Sequence, residues 1–328
     1  MKTHALRIFI LIIAFILVRG WPASAVDKLR IGYGAPSVTM APLWIVQEGK
    51  IFARNGLDVE VLYLESALVQ RALIAGEVSF GEMTGALLSA PRLQGADVTM
   101  VLGFVDRLLF RLVARGDIKT AADLKGKRFG TSRFGAALDR AARLALPRLG
   151  INPDKDVIFV QIGSEATLLT ALLGKSVDAT LLQPPRFNRA VDAGMNMLAN
   201  LEEMKIPFQH TGLVTTQRYI AKNPDVSRRV VKSFVEGIHL MRSHPEIAKK
   251  AINRVMRLND ERELEETYQL LKRVTLTKPY PSLEGIKTIL ADLVDQLPAA
   301  KTADPKDFVD TRFLEELDKS GFIDKLYR

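Results

Sequence analysis

Residues 31–78 read IGYGAPSVTMAPLWIVQEGKIFARNGLDVEVLYLESALVQRALIAGEV, and residues 129–177 read FGTSRFGAALDRAARLALPRLGINPDKDVIFVQIGSEATLLTALLGKSV. Both follow one plan: strand, glycine-containing loop, helix, glycine turn, strand, serine-started helix, closing glycine. Gly32 to Gly76 and Gly130 to Gly174 each span 44 positions, and Ser66 to Gly76 and Ser164 to Gly174 each span 10. The serines are expected to cap free N–H groups at helix starts. The closing glycines are expected to take the left-handed conformation that ends a helix. Leu68, Val69, Ala72 and Leu73 give one helix an apolar face, as Leu168, Leu169, Leu172 and Leu173 do for the other. The segments DVEVLYL and DVIFVQI are rich in β-branched residues, which suits buried parallel strands. The repeat therefore predicts an α/β chain of two tandem units, each a mostly parallel sheet with helices on both faces.

Beyond the second copy the pattern changes. TGLVTT (211–216) reads as a returning strand, and helix then follows helix from residue 224 onward. Pro224, Pro245, Pro281 and Pro298 punctuate this part, with Pro224 and Pro245 suited to first helical turns. Helices without strands cannot form an α/β domain, so they are expected to pack back on one of the two units.

The N-terminus sets the compartment. Lys2 and Arg7 precede an apolar run over residues 8–18, and Ala23, Ser24 and Ala25 follow Pro22. These are the parts of a cleavable secretory signal, expected to be cut after Ala25. The run is too short to span a bilayer comfortably. The chain has no cysteine, which excludes disulfides, thiol nucleophiles, thiolate metal sites and lipoprotein acylation. A periplasmic location follows as the expectation. The formal charge is +9, and between Arg107 and Arg148 eleven basic residues face three acids. Such a stretch fits an anionic solute or a solvated surface. Export and the lack of interleaved aromatics argue against nucleic acid.

In open α/β sheets a ligand lies beyond the carboxyl ends of the strands. Those ends carry residues 34–37 and 82–85 in the first unit, and 132–135 and 182–185 in the second. If the units face each other, the loops line a cleft from both sides. Ser132 and Arg133 stand at an expected helix start, where free N–H groups and a guanidinium can meet an anion. The plainer alternative has Ser132 capping the helix and Arg133 in solvent. Trp44 and Tyr33 are expected in the core. Enzyme signatures are thin: GYGAPS puts Ser37 where a dinucleotide loop has its third glycine. His239 and His244 are five apart, off a common helix face, so no metal site is expected. His210 reads as a loop residue or as one that reaches the cleft. There is no nucleophile elbow and no phosphate loop. Glu82 and Glu165, at loop positions, fit acid/base work or an amine ligand equally well. No cofactor is expected.

PLWIVQEGKIFARNGLDVEV (42–61), with Glu48, Gly49, Phe52, Gly56, Leu57 and Val59, opens an ordered set of motifs. ALIAGEV, DLKGKRFG, LGINPDKDV and ALLGKSVDATLLQPP continue it. In these residues the chain resembles the periplasmic substrate-binding proteins of ABC transporters, in the branch of nitrate, alkanesulfonate, taurine and thiamine-pyrimidine-precursor binders. The resemblance implies a two-lobed periplasmic-binding-protein fold of type II, hinged around a ligand cleft. Residues 26–113 with 212–328 would form lobe I, and 114–211 lobe II. It implies a non-enzymatic monomer that captures a small molecule and delivers it to a membrane permease. The expected ligand contacts are Ser37, Met40, Glu82, Thr84, Phe104, Ser132, Arg133, Phe134, Gln183 and His210. Ser132 and Arg133 tilt the ligand toward a small anion, a carboxylate or sulfonate. One departure is visible: Ser79 stands where the first unit often has an acid, while Asp178 is present in the second. Two alternatives stay open. One is an enzyme on the same scaffold, like the pyrimidine-precursor synthase whose cysteine-rich motif has no counterpart here. The other is a sensory binding protein that feeds a membrane receptor.

Overall fold

The computed structural model describes residues 26–258 and 260–328, and the expected leader with its cut after Ala25 lies outside the described residues. Among the described residues ten strands form two sheets. The first contains β1 (Asp27–Tyr33), β2 (Leu57–Tyr63), β3 (Phe80–Thr84), β4 (Val98–Arg107) and β10 (Pro207–Thr216). The second contains β5 (Arg111–Ala114), β6 (Lys127–Thr131), β7 (Val157–Gln161), β8 (Ala179–Leu182) and β9 (Asn196–Asn200). Their orders are β2-β1-β3-β10-β4 and β7-β6-β8-β5-β9. The duplication read from the spacing thus reappears in space, with β1, β2 and β3 matched by β6, β7 and β8.

The expected mostly parallel sheets are found, with one strand reversed in each, so both sheets are mixed. In each, the three strands joined by helical crossovers run parallel. The fourth and fifth positions involve a strand that arrives from the other lobe and runs antiparallel to both its neighbours. In the first sheet this is β10, between β3 and β4; in the second it is β5, between β8 and β9. The chain therefore passes from one sheet to the other after β4 and back again after β9.

Local chemistry explains most element ends. Ser164 caps the Glu165–Leu173 helix by accepting from the Thr167 N–H at 3.3 Å. The Ser66–Ala75 helix instead takes Glu65 at its N-cap position. Gly76 ends that helix at φ 81°, as expected, but Gly174 keeps φ −78° and Lys175 makes the left-handed turn at φ 60°. The helices Pro224–Ser243, Pro245–Met256, Glu261–Val274 and Leu283–Leu293 pack back on the first sheet's lobe, with Pro224 and Pro245 in first turns. The Leu283–Leu293 helix touches β10 at Gly285, where a Cβ would lie 2.6 Å from the Phe208 carbonyl carbon. Glycine is what permits that approach.

Two clusters of buried apolar side chains result. One fills the outer side of the first sheet with Ile31, Leu43, Phe52, Phe104, Phe234 and Tyr268, and it includes Tyr33 and Trp44, as expected. The other runs without a break from Val69, Leu88 and Ile286 of the first lobe to Leu138, Phe129 and Leu168 of the second. The lobes are thus joined by packing as well as by two chain crossings.

Candidate functional site

A cavity of about 350 Å³ lies between the lobes, with walls that are mostly apolar. The first lobe contributes residues 34–37, Thr39, Met40, Tyr63, Glu65 and Thr84. The second contributes Ser132, Arg133, residues 136–138, Gln161, residues 163–166, Gln183 and Arg186. Phe110 and His210 close it at the crossings. Of the expected contacts, Ser37, Met40, Thr84, Ser132, Arg133, Gln183 and His210 come together here.

The other three lie elsewhere. Phe104 points into the core of the first lobe, stacked on Phe234 at 5.3 Å between ring centroids. Phe134 turns outward and is 52% exposed, while its N–H donates to Gln161. Glu82 sits two residues before Thr84 on β3, one pleat deeper on the same face and fully buried. Its carboxyl faces the Leu43 backbone without completing a well-formed hydrogen bond. Burial drives its pKa well above the ordinary carboxylate value, which favours the protonated form.

A chain of hydrogen bonds crosses the cleft floor. The Ser37 hydroxyl donates to Gln183 Oε1 at 3.0 Å, linking the lobes directly. His210 Nδ1 lies 3.2 Å from the Arg107 carbonyl oxygen, which only accepts, so Nδ1 carries the proton. Nε2 then accepts from the Gln183 amide at 3.4 Å. The imidazole stacks on Phe110 at 5.3 Å and is 3% exposed. Burial lowers its pKa to about 4, the Arg107 carbonyl opposing in part.

The sign of the resulting pH dependence follows. An unfolded histidine titrates near 6.5, so below that pH the unfolded chain binds a proton that the folded chain refuses. The stabilising effect is full above pH 6.5 and is lost as pH falls toward 4, amounting to about 3 kcal/mol over the window. Urea unfolding of His210→Gln should show a correspondingly flatter loss of stability between pH 6.5 and 4 than the parent. An identical slope in both proteins would remove His210 as its source.

Electrostatics at the mouth differ from expectation. The helix after β6 begins only at Ala137, with Ala136 at the N-cap, so Ser132 and Arg133 lie in the preceding loop. Gly135, at φ 80°, separates them from the helix, and its N–H goes to Asp139 in the first helical turn at 2.9 Å. Arg133 spans the mouth to Glu65 of the first lobe at 2.9 Å, with both side chains half exposed. Its charge is therefore matched within the protein.

Two other charged groups do face the cavity. Glu165 accepts the Gln183 backbone N–H at 3.2 Å. Burial raises its pKa, and the Arg186 guanidinium works in the opposite direction. Arg186 itself makes no ion pair or hydrogen bond among the described residues. The sequence offered one signal for it, its position directly after the 182–185 loop at the end of β8.

Comparison with known proteins agrees with this architecture. A family model described as NMT1/THI5 like matches residues 38–248. A Brucella abortus (strain 2308) protein, named as a binding protein with no ligand given, is 26% identical over 224 residues, covering 66% of this chain and 68% of its own. The periplasmic aliphatic sulphonate binding protein SsuA of Escherichia coli superposes with a TM-score of 0.71 at 18% identity, covering 87% of this chain and 92% of its own. The desulfurization enzyme DSZB superposes with a TM-score of 0.66 at 14% identity, covering 90% and 99%. These structures share the fold, which carries binding proteins and an enzyme alike.

Proposed function

The chain belongs to the NMT1/THI5-like family, and from that premise we propose that it is a periplasmic solute-binding protein of an ABC transporter. It captures one small organic molecule between its lobes and hands it, unchanged, to a membrane permease. The observation that carries this reading is a cleft lined from both lobes and bridged over its floor by Ser37 and Gln183 and over its mouth by Arg133 and Glu65. A molecule seated there touches both lobes only when they are closed, so it favours closure by its differential affinity for that state. The closed form is what the permease would recognise. Among the described residues no helix is long and apolar enough to cross a membrane, which fits export behind a cleaved leader.

Catalysis on this scaffold is the competing idea, since DSZB shares the fold. The histidine in the cleft speaks against it. Both ring nitrogens of His210 are engaged, and the Ser37 hydroxyl is directed to an amide oxygen, not to a base. Native mass spectrometry of protein purified from periplasm tests the proposal. One small molecule per chain is expected, with the same mass after prolonged incubation. Conversion of that molecule to a product, or chains that never carry one, would overturn it.

A further inference from the structure

Glu165 and Arg186 both line the cleft and share no hydrogen bond or ion pair among the described residues. Glu165 spends one oxygen, Oε2, on the Gln183 N–H and takes no other hydrogen bond among the described residues. Arg186 has no partner among the described residues, although its charge is felt at Glu165. A guanidinium offers only donors and a carboxylate only acceptors. Both line a mostly apolar cavity without forming an ion pair, and the two present complementary vacancies to one molecule: an acceptor is wanted at Arg186 and a donor at Glu165. The remaining charges of the lining cancel or are absent. Arg133 is matched by Glu65, and His210 is neutral. An anion seated on Arg186 would also lie beside Glu165 in a poorly solvated space, which is costly without a second cation.

We propose that Arg186 and Glu165 together read the ligand, the guanidinium taking an acceptor atom and the carboxylate an adjacent N–H. The molecule selected then has no net charge, an apolar body and one amide-like edge. This rests on the solute-binding reading and deepens it by naming the ligand class. It also departs from the anionic ligand that the sequence favoured.

Four probes of nearly one shape test the assignment by saturation-transfer NMR on the full chain. Benzamide carries acceptor and donor, acetophenone an acceptor alone, benzoate an anionic acceptor, and benzamidine cationic donors. Benzamide is expected to bind at least tenfold more tightly than the other three. Arg186→Gln and Glu165→Gln should each weaken it at least tenfold, with melting temperatures followed in parallel to show that both variants fold. Benzoate binding as well as benzamide, or benzamide binding unchanged in both folded variants, would overturn the assignment while leaving a solute cleft in place. Failure of all four probes would also overturn it, and the mass measurement of a retained molecule then decides separately whether the solute-binding reading survives.

Discussion

Arg140→Met is expected to lower the unfolding free energy by about 3 kcal/mol and to loosen the junction between the lobes. Arg140 lies on the Ala137–Ala145 helix of the second lobe and reaches Asp292 Oδ2 at 2.5 Å and Gln296 Oε1 at 3.2 Å in the first. Its side chain is 7% exposed and that of Asp292 16%. Methionine retains much of the aliphatic volume but leaves the Asp292 carboxylate nearly dry and without its cation. Breaking such a pair on one side costs about 3–5 kcal/mol, and the residual solvent at Asp292 favours the low end. Urea unfolding of Arg140→Met, Asp292→Asn and the double variant measures the coupling. A loss below about 0.5 kcal/mol would place the pair with exposed salt bridges instead.

Asp178→Ala should be about as damaging, near 3 kcal/mol, but within the second lobe. Asp178 precedes β8 and is nearly buried. Its Oδ1 takes Arg115 at 2.7 Å and Arg128 at 3.0 Å, and its Oδ2 takes the Arg128 backbone N–H at 2.9 Å. It thereby fastens the end of the incoming strand β5 to β6. The hydrogen bond from Arg128 is the main cause that holds its pKa below the ordinary carboxylate range. Its stabilisation is therefore complete above that range and is lost as pH falls below it. Thermal melting of Asp178→Ala at pH 7 and pH 3 checks both parts: a large deficit at pH 7 that shrinks at pH 3. A deficit independent of pH would point to packing instead of charge. Among the described residues no arginine bonds the side chain of the equivalent Ser79 in the first sheet; there the Thr215 hydroxyl donates to the Ser79 carbonyl at 2.7 Å. The departure noted in the sequence is thus a change of sheet fastening.

The duplicated halves were legible because their punctuation is local. Serine, glycine and alternating apolar positions act within a few residues of where they stand, and they set each strand–helix–strand run. The antiparallel strands were not legible. RLVA in β5 is four residues long, and nothing within it says that it must slip between β8 and β9. That choice belongs to partners far away in sequence. Lys175 shows the limit even of local signals, since it takes the left-handed turn that Gly174 beside it was expected to make.

The cleft shows the same division. The ends of β1, β3, β6 and β8 mark its position, and Ser37, Thr84, Ser132 and Gln183 lie where strand ends put them. The charge state of the lining depends on contacts between lobes. Arg133 meets Glu65, 68 positions away, a pairing that no pattern near either residue announces. Arg186 becomes conspicuous only once Arg133 is seen paired with Glu65.

The most direct measurement of the central claim is the distance between the lobes with and without the solute. The chain has no cysteine, so Arg71→Cys and Lys155→Cys, exposed and one in each lobe, give two unique labelling points. Energy transfer between them is recorded on protein stripped of its retained molecule by unfolding and refolding, then again after that molecule is returned. The account predicts a longer, broader separation in the stripped protein and a single shorter one when the solute is back. One separation, unchanged by the solute, would contradict it.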